Sequence, residues 1–385
     1  SGELELTREA RRLSRKSVAA NESVCHRFAI RASRESNPAL VPGEELTGSW
    51  ELRSWSGKLP DEPPLIAWRI HIPQLTATTS HRVSATSPDQ PTPAPEVEVP
   101  REPCPTPLNW VDVVTSVVAE SQPISVQLVD GEMLAEVYGS GRPLYFIGGA
   151  TGNAKLFALT AYLLKDEFTC VMIDVPVWTK APTSPLEQTA DAIRRLADSL
   201  GHSRFDLYAA GYGCHVALTL MKRSPDRISH LMLQGPVLRE PTLQRERLFY
   251  KIGRLLTRPM SSLPGWSKVQ QQNHQGYFPP FDPTRYHFLL DSLGATSVRQ
   301  VAWRLLAGAE CDWCDLIPEI RQPVMVIRTE GEGETLAKLS EEFAADLPGC
   351  RTEWMPLAGH YPYLTHPNRL VKVIKQYLNP EATST

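Results

Sequence analysis

The chain has 385 residues, more than one average domain requires, so a core domain with an extension is expected. Hydrophobic residues make up 42% and charged residues 22%, as is ordinary for a globular protein. The net charge of −3 excludes a strong overall attraction to nucleic acid or to an anionic membrane. Since no apolar run approaches the ~18 residues that span a bilayer, we expect no transmembrane segment and no nucleic-acid partner.

The chain contains seven cysteines, an odd number. Several of them lie within apolar patterns, which indicates buried thiols in a reduced compartment and not a disulfide framework. Cys311 and Cys314 form a single C-x-x-C motif, and one such pair supplies only half of a tetrahedral zinc site. We therefore predict neither a metal nor a cofactor.

Residues 1–122 are predicted to form a long Pro-rich N-terminal extension without a hydrophobic period. The chain has 34 prolines, and those between residues 88 and 107 predict a polyproline-like linker. Such a segment buries too little apolar surface to offset chain entropy, so it either wraps the core domain or lies on other proteins. We expect residues 1–122 to contact protein subunits of a larger complex, with four tryptophans as anchors: Trp50, Trp55, Trp68 and Trp110.

The first residues carry a weak localisation signal. Residues 8–34 are rich in arginine and serine, as transit peptides are, although Glu3, Glu5, Glu9 and Glu22 argue against that interpretation. A Pro-rich extension on such a chain fits a subunit of a large organellar complex. We expect a mitochondrial location, with the cytoplasm as the alternative.

Residues 123–380 predict an α/β domain. A hairpin signal at Asp130–Gly131 opens it, and a continuous apolar run at residues 144–147 predicts a buried central strand. Strands and helices then alternate to residue 378, which gives a doubly wound, mostly parallel sheet.

An interruption at about residues 237–317 breaks this alternation. Helices are expected at 243–256, 286–293 and 298–306, with a proline-containing loop after the first. The first helix either binds an acidic partner or is a solvated face, because it carries Arg245, Arg247, Lys251 and Arg254.

The segment Ala209-Ala210-Gly211-Tyr212-Gly213 reads as a strand that turns sharply into a helix. Such a turn presents a nucleophile in many hydrolases, and it needs small residues two before and two after the nucleophile. Ala209 and Gly213 are these small residues. The residue between them is Gly211, which has no side chain with which to attack.

Residues 124–379 resemble the α/β-hydrolase superfamily in their element order, in the position of the interruption and in residues 357–367. Residues 148–154, 176–178 and 359–364 are most similar to its maspardin branch. The resemblance implies a helical cap at residues 237–317 and three triad positions. These positions are Gly211 for the nucleophile, Glu332 for the acid with Glu330 as second candidate, and His360 for the base.

The resemblance also implies oxyanion donors, namely the backbone N–H of Tyr212 and that of Gly149 or Ala150. The sequence thus keeps residues suited to the acid, the base and the oxyanion donors. Relative to an active member of the superfamily, the sharp turn at Gly211, called the nucleophile elbow, differs only in lacking the nucleophile. We therefore predict a catalytically inactive α/β-hydrolase-like protein that acts as an accessory subunit of a larger assembly.

Three routes to catalysis remain open. Cys214 could attack in a shifted register, but its flanks, Tyr212 and Val216, are too large for the turn. Tyr212 has small flanks but is a rigid phenol and a poor acyl carrier. His360 and Glu332 could instead activate water. The alternative functions are thus an unusual esterase or lyase centred on His360, and a sensor that binds a ligand, without reaction, in the pocket that holds the substrate in active members of the superfamily.

Overall fold

The computed structural model describes residues 109–379. Within this part of the chain, a single twisted sheet forms the centre of the fold. Its strands are β1 (Gln122–Leu128), β2 (Gly131–Tyr138), β3 (Arg142–Ile147), β4 (Phe168–Ile173), β5 (Val177–Trp178), β6 (Phe205–Ala210), β7 (Ile228–Gln234), β8 (Val324–Thr329) and β9 (Arg351–Met355).

The strand order is β1-β2-β4-β3-β6-β7-β8-β9, with the short β5 beside β2. The strands from β4 and β3 through β9 pair in parallel, whereas β1, β2 and β5 join antiparallel. The predicted doubly wound, mostly parallel sheet is confirmed. Because the parallel strands all end at one edge, the loops after β3, β6, β7, β8 and β9 meet there.

Helices cover both faces of the sheet and form the cap. In chain order they are α1 (Trp110–Glu120), α2 (Ala158–Leu164), α3 (Pro185–Ser199), α4 (Tyr212–Arg223), α5 (Gln244–Gly253), α6 (Trp266–His274), α7 (Thr284–Ala295), α8 (Val298–Gly308), α9 (Gly333–Ala345), α10 (Pro362–Thr365) and α11 (Pro367–Leu378).

Alternating side chains of the central strands pack into two cores. In β3, Tyr145 and Ile147 join the core under α3, α4 and α9, whereas Leu144 and Phe146 join the core under α1, α2 and α11. All four side chains are fully buried. This two-faced burial explains why β3 reads as a continuous apolar run.

Helix α1 lies inside the stretch that sequence analysis assigned to the extension. Trp110, Val113 and Val117 are buried against the domain, so residues 110–120 belong to the fold. These apolar residues recur at i, i+3 and i+7, a period that the neighbouring prolines obscure. The predicted anchors Trp50, Trp55 and Trp68, and the linker up to residue 108, lie outside the described residues.

The cap contains α5, α6, α7 and α8, inserted between β7 and β8 as expected. Helix α6 falls in a segment predicted to be a loop. It was missed because its sequence, Trp-Ser-Lys-Val-Gln-Gln-Gln-Asn-His, is mostly polar and gives little periodic signal. Within residues 109–379, no helix has the length and apolar character needed to cross a membrane.

Candidate functional site

The turn from β6 into α4 has the geometry of a nucleophile elbow. Gly211 is the N-cap of helix α4 and has φ 53° and ψ −118°. Residues that carry a side chain rarely adopt this backbone conformation. Two residues on, a Cβ at Gly213 would lie 2.6 Å from the carbonyl oxygen of Ile147 and 2.8 Å from that of Gly148. The close approach of helix and strand therefore requires glycine at position 213, as predicted.

The space above Gly211 is open. A Cβ there would meet only the Cα of Gly149, at 3.6 Å, and a Cβ at Gly149 would meet nothing within 4 Å. A small side chain would fit at position 211, although the positive φ would strain it. Gly211 itself offers no side chain, while the turn around it has the shape and the room for a small one.

Gln234, at the end of β7, connects the elbow to the loops after β8 and β9. Its backbone oxygen accepts the Gly211 N–H at 3.1 Å. Its side-chain oxygen accepts the hydroxyl of Tyr208 at 2.7 Å. Its side-chain Nε2 donates to Glu332 Oε1 and to the backbone oxygen of His360, both at 2.9 Å. Gln234 is 1% exposed and Tyr208 is fully buried, so water is excluded from this end of the network.

Glu332, the predicted acid, is turned toward Gln234. Its second oxygen accepts the backbone N–H of Thr329 at 3.3 Å. Burial raises the pKa of Glu332 to about 7, and the hydrogen bond from Gln234 opposes this rise only in part. The other candidate, Glu330, accepts the backbone N–H of Leu357 at 2.8 Å and thereby braces the neighbouring loop.

His360, the predicted base, lies in the loop after β9, and its backbone is packed against the loop that carries Glu332. A Cβ at Gly331 would lie 2.4 Å from the His360 nitrogen, so only glycine allows this approach. The His360 ring instead faces Tyr361 and the cap residue His274, at ring-centroid distances of 4.9 and 6.2 Å. Among the described residues, the ring makes no hydrogen bond.

The two facing histidines are held neutral. Burial lowers the pKa of His360 to about 4. Burial, and secondarily the proximity of His360, lowers the pKa of His274 to about 4. His274 Nδ1 is buried without a partner in the described residues. The edge of the sheet thus brings Gly211, Glu332 and His360 together but leaves the carboxylate and the imidazole unconnected.

The predicted oxyanion region is tied to the cap. Arg304 of α8 is 1% exposed and donates to the backbone oxygens of Ala150, Val175 and Pro176 at 2.5, 3.1 and 3.0 Å. Burial lowers the pKa of Arg304 to about 10. Tyr212 begins α4, so its N–H has no acceptor inside the helix. The assignment of oxyanion donors to Tyr212 and to Gly149 or Ala150 stays a prediction, and the carbonyl of Ala150 is bound by the buried Arg304.

Neither substitute nucleophile is activated. Cys214 is 1% exposed, its thiol contacts the backbone oxygens of Ala209 and Gln234, and burial raises its pKa well above the usual value. Tyr212 is 5% exposed, and burial raises its pKa. Both groups stay protonated at neutral pH, which disfavours attack on an acyl group.

Sequence reasoning missed Gln234, Arg304 and His274. Gln234 ends a strand next to the elbow, and a polar residue at that edge could have been singled out from strand order alone. Arg304 lies in the amphipathic helix α8, which also contains Arg299. The sequence does not show which arginine of this helix is buried. His274 depends on α6, which was not predicted.

The sheet order, the inserted cap and the elbow define an α/β-hydrolase fold. A family model described as the alpha/beta hydrolase family matches residues 144–373. The chain belongs to this family, which confirms the superfamily resemblance, whereas the likeness to the maspardin branch stays a prediction. A search of curated proteins found no match.

Solved structures with the same fold include three bacterial proteins. A thermophilic esterase from Thermogutta terrifontis is 19% identical, with 67% of this chain and 98% of that chain covered at a TM-score of 0.58. A hydrolase from Pseudomonas aeruginosa PA01 is 17% identical, with 67% and 98% covered at 0.57. An enol-lactonase from Burkholderia xenovorans LB400 is 17% identical, with 66% and 99% covered at 0.55. At these identities the likeness shows the fold alone.

Proposed function

We propose that this protein is a catalytically inactive member of the alpha/beta hydrolase family that serves as an accessory subunit of a larger protein assembly. Gly211 carries the proposal, because it holds the elbow conformation, φ 53° and ψ −118°, without an atom that can attack a substrate. A serine triad that loses a member keeps only about 10³–10⁴-fold catalysis over water.

The separation of acid and base supports the same conclusion. In a working triad the carboxylate orients the imidazole. Here the carboxylate of Glu332 is bound to Gln234, and the His360 ring faces His274. An esterase or lyase that activates water through His360 would need these two groups to meet, so their separation favours the inactive interpretation.

Catalysis can be tested with generic acyl esters and a serine-directed fluorophosphonate. We expect the native protein neither to turn over the esters nor to become labelled. Gly211→Ser supplies the missing hydroxyl, yet it should remain about 10⁴-fold below an intact triad, because nothing orients His360. Turnover by the native protein that disappears in His360→Ala would refute the proposal and favour the His360-centred enzyme.

The assembly part of the proposal assigns the partner contacts to residues 1–122, of which residues 109–122 are described. Its test is the size of the protein in cell extracts. We expect elution well above the 42.9 kDa of one chain, in a mitochondrial fraction. Replacing Trp50, Trp55 and Trp68 together by alanine should return the protein to monomer size, whereas a monomeric native protein would contradict the assembly role.

One observation favours a second candidate, a ligand sensor. Gly211 and Gly149 leave room for small added groups beside the helix α4 terminus, whose first N–H groups have no intrahelical acceptor. Short-chain carboxylates are the matching class of ligand. A screen by thermal shift tests this candidate: a carboxylate that stabilises the native protein but not a Gly149→Leu variant would support it.

A further inference from the structure

Helix α5 of the cap exposes a row of apolar side chains. Leu248, Ile252 and Leu255 are 57%, 50% and 70% exposed. They are spaced i, i+4 and i+7 and so lie on one side of the helix, whose winding continues past its end because Leu255 N–H donates to the Ile252 oxygen at 3.0 Å. Phe249, 65% exposed, borders this row, which we call the α5 apolar row.

The opposite side of α5 is the one that packs on the protein. Gly253 is buried, and a Cβ there would meet Ala302 of α8 at 3.2 Å. Glu246 is the acidic residue of α5, and its carboxylate accepts the Leu243 N–H at 2.9 Å. The α5 apolar row is therefore not the face that holds the helix in place, and the stability of the domain does not explain it.

Five cations accompany the row, and among the described residues none of them has a carboxylate within salt-bridge distance. They are Arg245, Arg247, Lys251, Arg254 and Arg258. Some exposed basic residues elsewhere in the domain are paired, such as Arg223 with Asp191 at 3.0 Å and Arg239 with Asp312 at 2.7 Å, whereas these five lie on one short segment. A concentration of unpaired positive charge on a chain of net charge −3 marks this surface as a binding site for anions.

A concavity of about 720 Å³ adjoins the row. Its walls carry Arg245, Arg247 and Lys251, together with Leu248 from the row itself. Three cations and Leu248 thus line one recess, and of these cations Arg247 also donates to the backbone oxygen of Ala309. The recess suits a phosphate group, and the leucines suit a hydrocarbon phase.

A second copy of this chain does not fit the surface, because a two-fold contact would bring the two sets of cations together. A protein partner would have to supply a groove for a convex helix as well as matching acids. A bilayer with anionic lipids needs neither, since acyl chains adapt to a convex apolar row and headgroups supply the charge.

We propose that helix α5 docks the protein on the surface of an anionic lipid bilayer. The α5 apolar row enters the boundary between headgroups and acyl chains, while the lysine and arginines bind lipid phosphates. This interaction is peripheral, involves no spanning segment, and uses a different surface from the one assigned to protein partners.

The test is flotation of the full-length protein with phosphatidylcholine vesicles that contain or lack roughly one third phosphatidylserine. We expect binding to the anionic vesicles alone, weakening as salt is raised. Arg245→Gln/Lys251→Gln/Arg254→Gln should weaken binding about 100-fold. Leu248→Ser/Ile252→Ser/Leu255→Ser should reduce it to background, because charge alone leaves no inserted anchor.

Matched controls lie far from α5. Lys222→Gln/Lys338→Gln/Lys372→Gln removes the same charge, and Val129→Ser removes an apolar side chain that is 88% exposed. Both should bind as the native protein does, and circular dichroism should show every variant folded. Equal loss in the controls, or binding that ignores lipid charge, would overturn the proposal. Retention on polyglutamate without vesicle binding would overturn it in favour of an acidic protein partner.

Discussion

The elbow and the loops after β8 and β9 meet at the same edge of the sheet, yet different interactions fix their shapes. At the elbow, backbone atoms of β3 press on Gly213, so the turn keeps its form whatever residue occupies position 211. In the loops, two hydrogen bonds hold the Glu332 side chain, one from the buried amide of Gln234 and one from the backbone N–H of Thr329. Backbone packing fixes the shape of the elbow, whereas side-chain hydrogen bonds fix the direction of the carboxylate in the loops.

The largest effect is expected at the elbow. Gly213→Ala would place a methyl group 2.6 Å from the Ile147 carbonyl oxygen, so helix and strand must move apart. We expect a loss of about 3 kcal/mol in the free energy of unfolding, measured by denaturant titration. Gly149→Ala is the matched control at the same edge, because its methyl group meets nothing within 4 Å. Equal losses would mean that backbone packing does not set the elbow.

The pH dependence of stability reports on Glu332. Its folded pKa of about 7 lies above the ordinary 4.5, so the folded state binds the extra proton and the native protein loses stability as pH rises from 4.5 to 7. Glu332→Gln removes this loss. Its stability relative to the native protein should rise by about 2–3 kcal/mol across that window and stay level above it. If the difference in free energy of unfolding between Glu332→Gln and the native protein does not change with pH, Glu332 is solvated.

Breaking the hydrogen bonds of Gln234 should lower the free energy of unfolding somewhat less than the two changes above alter it. Gln234→Leu leaves the Tyr208 hydroxyl and the Glu332 carboxyl without their partner, and we expect a loss of about 2 kcal/mol at pH 6 in denaturant unfolding. The comparison is Gln322→Leu, which removes two exposed hydrogen bonds, one donated to the Pro225 oxygen at 2.8 Å and one accepted from the Arg321 N–H at 3.2 Å. If both variants lose equally little, the loops are held by their backbones alone.

The smallest effect is expected for Gly211→Ser. The new side chain has room, but the positive φ costs about 1 kcal/mol. Gly201→Ser provides the reference for strain without crowding, since Gly201 has φ +71° and a Cβ there would meet nothing within 4 Å. A thermal-unfolding midpoint that falls much further for Gly211→Ser than for Gly201→Ser would mean that the space above the elbow is occupied.

The fold was predictable because its signals are local and repeated. The apolar run of β3, the small residues at 209 and 213, and the alternation of strands and helices all follow from short-range sterics and burial. The contacts of the site were not predictable in the same way. Whether Glu332 meets His360 or Gln234 depends on side-chain directions across three strands, and the burial of Arg304 depends on how the cap sits on the sheet.

Helix α1 connects two parts of the domain, the cap and the core of the sheet. Its Trp110 packs at 4.8 Å against Phe288 of cap helix α7, while Val113 and Val117 pack on the core of the sheet. Helix α1 therefore contacts both the sheet core and the cap. A change in the position of α1 would act on the cap through the contact between Trp110 and Phe288.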